Sequence, residues 1–184
     1  MLNELDILHD VTDRLEIAGV DFMLTGSMAM NFYAEPRMTR DIDIVVAMKR
    51  GDVDSILKLF RPKYYISEEA IAEALHHQSM FNIIHTESVI KVDFVVRKSG
   101  PFRTAEFERR RRVKVNGFET WIVSREDLIL SKLEWMRDAF GSELQKRDIL
   151  NLLDGPCDMG YVREWAGQLN LTGLLEEITS EGHQ

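Results

Sequence analysis

The chain has 184 residues, 45% hydrophobic and 29% charged, with 11 Gly and 4 Pro. That composition excludes a disordered or collagen-like polymer, and the length suffices for one domain, or one with a small appendage, whose core needs neither metal nor disulfide. Cys157 is the single cysteine, which excludes an internal disulfide framework and a cysteine-based zinc cluster, and the net charge of −8 speaks against sequence-independent coating of nucleic acid.

The first residues are acidic and no long uncharged apolar run follows, so neither a signal peptide nor a transmembrane helix is expected, and a cytoplasmic protein is. Leu5, Leu8, Val11, Leu15 and Ala18 recur at helical spacing and Gly19 ends the run. Residues 20–25 read as a strand broken by Gly26 and Ser27, and 28–33 as a short helix. Residues 41–46 alternate and then turn wholly apolar, as in a partly buried strand. Asp52 is the expected N-cap of a helix to Phe60, and Ser67 starts another. Residues 80–85 and 89–96 read as paired strands, and Asn116-Gly117 between 112–115 and 118–123 is the strongest hairpin signal in the chain. From Ser124, which with Asp127 resembles a capping box, the pattern turns helical: one helix carries Leu128, Leu130, Leu133 and Trp135, and others span 142–153, 159–169 and 172–179. The expected fold is α+β, a mixed sheet flanked by helices. Residues 1–123 form the core with its N-terminal helix, and 124–184 form a helical region packed on it. There is no internal repeat or Pro-rich linker.

Three acids carry the chemistry. Alternation puts Asp41 and Asp43 on one face of a strand, where two carboxylates repel unless a cation lies between them. A hard divalent ion held by one or two carboxylates and substrate phosphates is the usual mode for Mg2+. Asp93 also sits mid-strand among apolar neighbours; beside the first strand it completes a set able to hold two ions about 4 Å apart. Gly26-Ser27, at a strand-to-helix turn, lets backbone approach a phosphate with free N–H groups and a positive helix end.

A hydrophobic strand, Gly26-Ser27, a thirteen-residue gap, Asp41-Ile42-Asp43-Ile44 and a later strand Asp93 resemble the DNA polymerase β-like nucleotidyltransferase superfamily, the gap lying at the upper end of its range. The later order, a hairpin, then Glu126-Asp127-Leu128 with Lys132, then Arg147-Asp148, is similar to small stand-alone AbiEii-type bacterial members. The resemblance covers roughly residues 20 to 150. It implies transfer of a nucleoside monophosphate from an NTP with Mg2+, two ions, to a hydroxyl of a tRNA, a protein or a small molecule. It also implies a toxin–antitoxin or phage-defence setting with a cognate toxin or antitoxin partner. In it Asp41 and Asp43 hold metal, Asp93 ligates the catalytic ion and helps activate the acceptor, and Gly26 and Ser27 grip the triphosphate. Lys132 adds positive charge and Asp148 supports the site.

Blander readings stand beside these. Asp41 can cap a turn after Thr39-Arg40, Asp43 can pair with Arg37 or Arg40, and Gly26-Ser27 can be an ordinary helix start. Lys132 reads slightly better as a surface lysine, and Asp148 as a partner of Lys132 or Arg147. His76 and His77 point apart on a helix, as surface residues do. Trp121, Trp135, Trp165 and most methionines are assigned to the core. Zincin, P-loop and Gly-x-Ser-x-Gly hydrolase motifs are absent.

Residues 97–114 hold eight basic residues against Glu106 and Glu108, a segment at +6, which with the chain total of −8 leaves −14 elsewhere. Two readings are balanced: a local patch for a phosphate-bearing partner, or a solvated helix end followed by a charged edge strand. The segment favours an RNA acceptor slightly, the acidic remainder a protein or small molecule. Besides the enzyme, two other readings remain: a non-catalytic nucleotide- or partner-binding protein of the same fold, and an RNA-binding module centred on Arg109, Arg110, Arg111 and Arg112.

Overall fold

The structure is a computed structural model that describes residues 2–138 and 143–181. Asn3 caps the first helix, α1 (Glu4–Ala18), in a reciprocal box with Asp6, and Gly19 closes it in the left-handed conformation at φ 67°. A short strand β1 (Phe22–Thr25) runs directly into α2 (Gly26–Met30), a single turn that starts two residues earlier than the sequence pattern predicts. After a loop come β2 (Ile42–Val46), a 3-10 turn (Arg50–Asp52) and α3 (Val53–Phe60). Asp52 stands at the N-cap of α3 without bonding into it. Its carboxylate instead accepts the Lys49 backbone N–H at 2.7 Å, closing the 3-10 turn, so the expected cap is replaced by a tighter local bond. A two-residue edge strand β3 (Tyr64–Tyr65), which no periodicity announces, precedes α4 (Glu68–His77), whose Ser67 cap accepts from Ala70 N as anticipated.

Strands β4 (Met80–His85) and β5 (Lys91–Val96) pair antiparallel. Helix α5 (Pro101–Glu108) leads into the hairpin β6 (Arg111–Val115) and β7 (Phe118–Ile122), with Asn116 and Gly117 both at positive φ as its two-residue turn requires. Then follow α6 (Arg125–Asp138), α7 (Glu143–Leu153), α8 (Met159–Gln168) and α9 (Thr172–Glu181). Ser142, the predicted start of the α7 helix, lies outside the described residues.

The seven strands form one mixed sheet in the order β3-β4-β5-β2-β1-β7-β6. β2 is antiparallel to β1 and parallel to β5, while β1 is parallel to β7. Alternation divides the central strands. Ile42, Ile44, Val46, Val92, Phe94 and Val96 are buried, with Phe94 against Phe60 of α3 at 5.9 Å. Asp43, Val45, Asp93 and Val95 point to the opposite face, where α6 closes one side and a cleft of about 450 Å³ remains. No described helix is long and apolar enough to cross a membrane. Trp135, assigned to the core, is instead 62% exposed at the cleft mouth, because Leu128 and Leu133 set the inward phase of α6 and leave position 135 on its outer side.

Candidate active site

The parallel pairing of β2 and β5 sets Asp43 directly beside Asp93, and Thr25 and Asn82 extend the same row across β1 and β4. Two carboxylates are thus neighbours on one face. Burial, then the charge of Asp93, then that of Asp41, push Asp43 up to about 6. Asp93 is 6% exposed, and its Oδ1 is buried with no hydrogen-bond partner among the described residues. Its Oδ2 receives the Lys91 ammonium at 2.7 Å from two residues earlier on the same face. Asp41 precedes β2 by one residue and stands exposed at the cleft rim. It does not cap a turn; its own N–H donates to Thr39 Oγ1 at 3.4 Å.

Gly26 fits against this row as no other residue would. Its φ is +65°, and a Cβ there would lie 2.1 Å from Asp43 Oδ2. The next residue, Ser27, accepts a hydrogen bond from Arg37 Nη2 at 2.5 Å. Arg37, in the loop after α2, is pinned by Asn31, whose side chain both accepts from the Arg37 backbone N–H and donates to its carbonyl. Its guanidinium makes a bidentate contact with Asp148 of α7, both bonds 3.0 Å, so it pairs with neither Asp43 nor Asp41.

Asp148 also accepts from Lys132 Nζ of α6 at 2.8 Å, and the same ammonium donates to Gln145 at 3.1 Å. Lys132 is only 6% exposed, which corrects the surface reading: four residues after Leu128 it lies on the inward stripe of α6, roofed by α7. Burial works to raise the Asp148 carboxyl, but the hydrogen bonds from Arg37 and Lys132 and their charges outweigh it and hold it below the usual range. The chain Ser27–Arg37–Asp148–Lys132 therefore ties the Gly-Ser turn to two C-terminal helices, and the Lys132 charge reaches Asp43. Arg37 and Lys91 are the residues sequence reasoning left out of the site. Lys91 was legible from the two-residue period that puts it on the Asp93 face; Arg37 had no such signal.

The far wall is built from α5 and α6. Arg103 donates to Glu106 at 2.8 Å and to Glu134 at 2.6 Å, and Ser131 Oγ donates to Glu106 at 2.5 Å; burial raises the Glu106 carboxyl. This pairing decides the fate of the basic segment. Arg109 bonds Glu126 and the fully buried Asp127 and stacks on Tyr161 at 3.9 Å. Arg110 pairs with Asp21, and Arg112 with Glu16 and Glu119. Much of the run is spent on intramolecular ion pairs and on edge strand β6, so the solvated-helix-and-edge reading is the one the contacts follow.

Among the described residues no three His, Cys, Asp or Glu are gathered as a ready metal cluster. The fit is to a smaller donor set, Asp43 and the unpartnered Asp93 Oδ1, with remaining ligands left to phosphate and water as Mg2+ commonly takes them.

A family model described as a nucleotidyltransferase of unknown function (DUF6036) matches residues 1–168. No match is found among curated proteins. The fold is similar to that of an antigenic nucleotidyltransferase-like protein from Paracoccidioides brasiliensis, at 18% identity and TM-score 0.55 over 98% of this chain and 92% of that one. It is also similar to the lincomycin-bound lincosamide antibiotic adenylyltransferase LnuA, at 18% identity and TM-score 0.52 over 80% and 94% of the two chains. A Thermotoga maritima protein described as a nucleotidyltransferase aligns at 19% identity and TM-score 0.52 over 78% and 91%.

Proposed function

Because the chain belongs to the DUF6036 family of nucleotidyltransferases, we propose that it transfers a nucleoside monophosphate from an NTP to a hydroxyl acceptor with Mg2+, releasing pyrophosphate. The observation that carries this reading is the row Thr25–Asp43–Asp93 beside Gly26, with Asp93 Oδ1 buried and unpartnered at the cleft. Asp43 and Asp93 would hold the metal, with Asp41 a further carboxylate at the cleft rim. When bound, Mg2+ neutralises charge on the polyphosphate as it builds in the transition state.

The remaining work belongs to the chain. Gly26 admits a phosphate against backbone, and the Ser27 hydroxyl, accepting from Arg37, keeps its proton to donate to a phosphate oxygen. Lys132, fixed by Asp148 and Gln145, supplies positive charge close to Asp43. Asp93 orients the acceptor hydroxyl and takes its proton as the new P–O bond forms and the bond to pyrophosphate breaks. Positioning and electrostatics suffice for such a displacement.

For the acceptor, the intramolecular ion pairs of Arg103, Arg109, Arg110 and Arg112 weaken the case for an RNA track along the 97–114 segment. A small molecule, or a protein hydroxyl presented on a loop, suits a cleft of about 450 Å³ better than a tRNA. LnuA, which shares the fold, is described as a lincosamide antibiotic adenylyltransferase, and a small-molecule acceptor is in keeping with that. The 124–150 pattern keeps the AbiEii-type branch and its toxin–antitoxin or phage-defence setting within the proposal, and the acidic first residues with no long apolar run keep a cytoplasmic location there.

Calorimetry of the four NTPs with Mg2+ on the wild type and on Asp41→Ala/Asp43→Ala tests it. Binding that requires both metal and aspartates, followed by label transfer from α-labelled NTP, is the expected result. No binding of any NTP to the wild type would sink the enzyme reading.

A further inference from the structure

Lys91 raises a separate question, because its ammonium sits where a metal ligand's charge is needed. Its Nζ lies 2.7 Å from Asp93 Oδ2, while its side chain is 46% exposed against 8% for Asp93. The stem is therefore free to swing toward solvent, whereas the carboxylate is fixed in the sheet beside Asp43. The other Asp93 oxygen is buried and unpartnered. A cation thus neutralises one oxygen of a carboxylate whose second oxygen is buried and unpartnered, and both residues line the same cleft.

We infer that Lys91 is an internal counter-ion that competes with divalent metal for Asp93, so that metal binds weakly alone and tightly together with a polyphosphate. A divalent ion approaching Asp93 meets the ammonium's repulsion and must displace it from Oδ2. A triphosphate in the same cleft offers that ammonium another anionic partner, which clears Asp93 and couples the two ligands. The inference rests on the metal-site reading of Asp43 and Asp93 and concerns loading rather than chemistry.

The test uses Mn2+ as probe, its free concentration followed by electron paramagnetic resonance, on the full chain with and without a non-hydrolysable NTP analogue. Lys91→Met is expected to bind Mn2+ alone about tenfold tighter than wild type, as loss of one nearby positive charge worth roughly a factor of ten would give. Its further gain from nucleotide should shrink correspondingly. Lys91→Arg should stay at the wild-type level, and Mn2+ should raise the thermal midpoint more in Lys91→Met than in wild type. Unchanged or weaker Mn2+ affinity in Lys91→Met, while Asp43→Asn and Asp93→Asn lose it, would overturn the counter-ion role alone. Mn2+ binding indifferent to Asp43→Asn and Asp93→Asn would overturn the metal site and this inference with it.

Discussion

Gly26 shows how much one missing side chain decides. The residue holds φ +65° beside a buried carboxylate, and a methyl there would sit 2.1 Å from Asp43 Oδ2 and 2.8 Å from its Cγ. Left-handed backbone costs an alanine about 1–2 kcal/mol, and forcing the Asp43 side chain aside adds about 1–3. Gly26→Ala should therefore lose about 2–5 kcal/mol of stability by urea denaturation, together with nucleotide affinity. In an Asp43→Ala background most of the atoms it would meet are gone, so the same change should cost only the backbone share. Equal costs in the two backgrounds would remove the steric account. At this scale the sequence was most legible where chemistry repeats locally. Asp41, Asp43 and Gly26-Ser27 are recognisable within twenty residues, and Lys91 follows from strand alternation. The Asp43–Asp93 register is not, because it depends on two strands separated by helices α3 and α4 and strands β3 and β4. Arg37 finds Asp148 across 111 positions, which no local pattern encodes.

Among elements, the attachment of α1 to the far edge of the sheet makes a separate case. Asp10 of α1 accepts from Arg14 at 2.8 and 3.0 Å and from the Tyr64 hydroxyl at 2.7 Å, with Lys63 at 3.4 Å, while Arg14 also reaches the Leu59 carbonyl at the end of α3. A two-residue strand has little pairing energy of its own, so this cluster adds to the pairing with β4 and the burial of Tyr64 in anchoring β3. Burial acts to raise the Asp10 carboxyl, yet the hydrogen bonds from Arg14 and Tyr64 and the charges of Arg14 and Lys63 prevail and bring it down to about 2. The unfolded chain then takes up this proton at higher pH than the folded one, so the contribution is complete above about pH 4 and is lost as pH falls through about 2. Asp10→Asn should cost about 1 kcal/mol at pH 7, because the partly exposed cluster is screened by solvent. The gap to wild type, read from denaturant midpoints, should narrow steadily from pH 4 downward; a constant gap would show that the charge is not what matters. The Ser67 cap, the hairpin turn and the long helices were readable because their signals are adjacent residues. β3 was not, since its two tyrosines have no period and owe their strand geometry to pairing with β4 about twenty residues later and to the bond from Tyr64 to Asp10 of α1.

For the whole molecule, the sheet order joins what the sequence separates. A division after residue 123 is natural to a pattern reader, because hairpin gives way to helix there, but the packing crosses it. Leu128, Ile129, Leu130, Leu133, Ile149 and Leu152 belong to the same buried cluster as Leu24, Ile42, Ile44 and Phe94. Arg125 donates to the Tyr33 carbonyl and, at 2.9 Å, to that of Leu152; Tyr33 returns a bond to the Val123 carbonyl at 2.6 Å. Asp148 closes the circuit through Arg37 to Ser27. Cutting at 123 would expose the apolar face of β1 and β7 next to α6 and leave the Arg37 guanidinium without its acid. Each large apolar side chain uncovered is worth about 1.5–3 kcal/mol, so losing the six contacts is comparable with the whole 5–15 kcal/mol that a domain of this size has in hand. Residues 1–123 expressed alone should keep helical far-ultraviolet dichroism but bind a hydrophobic dye and melt without a cooperative transition, whereas the full chain melts in one. A sharp, dye-free transition in the fragment would mean that the catalytic sheet is complete without α6 and α7, and Lys132 and Asp148 would then be additions to a finished site rather than part of the frame that holds it.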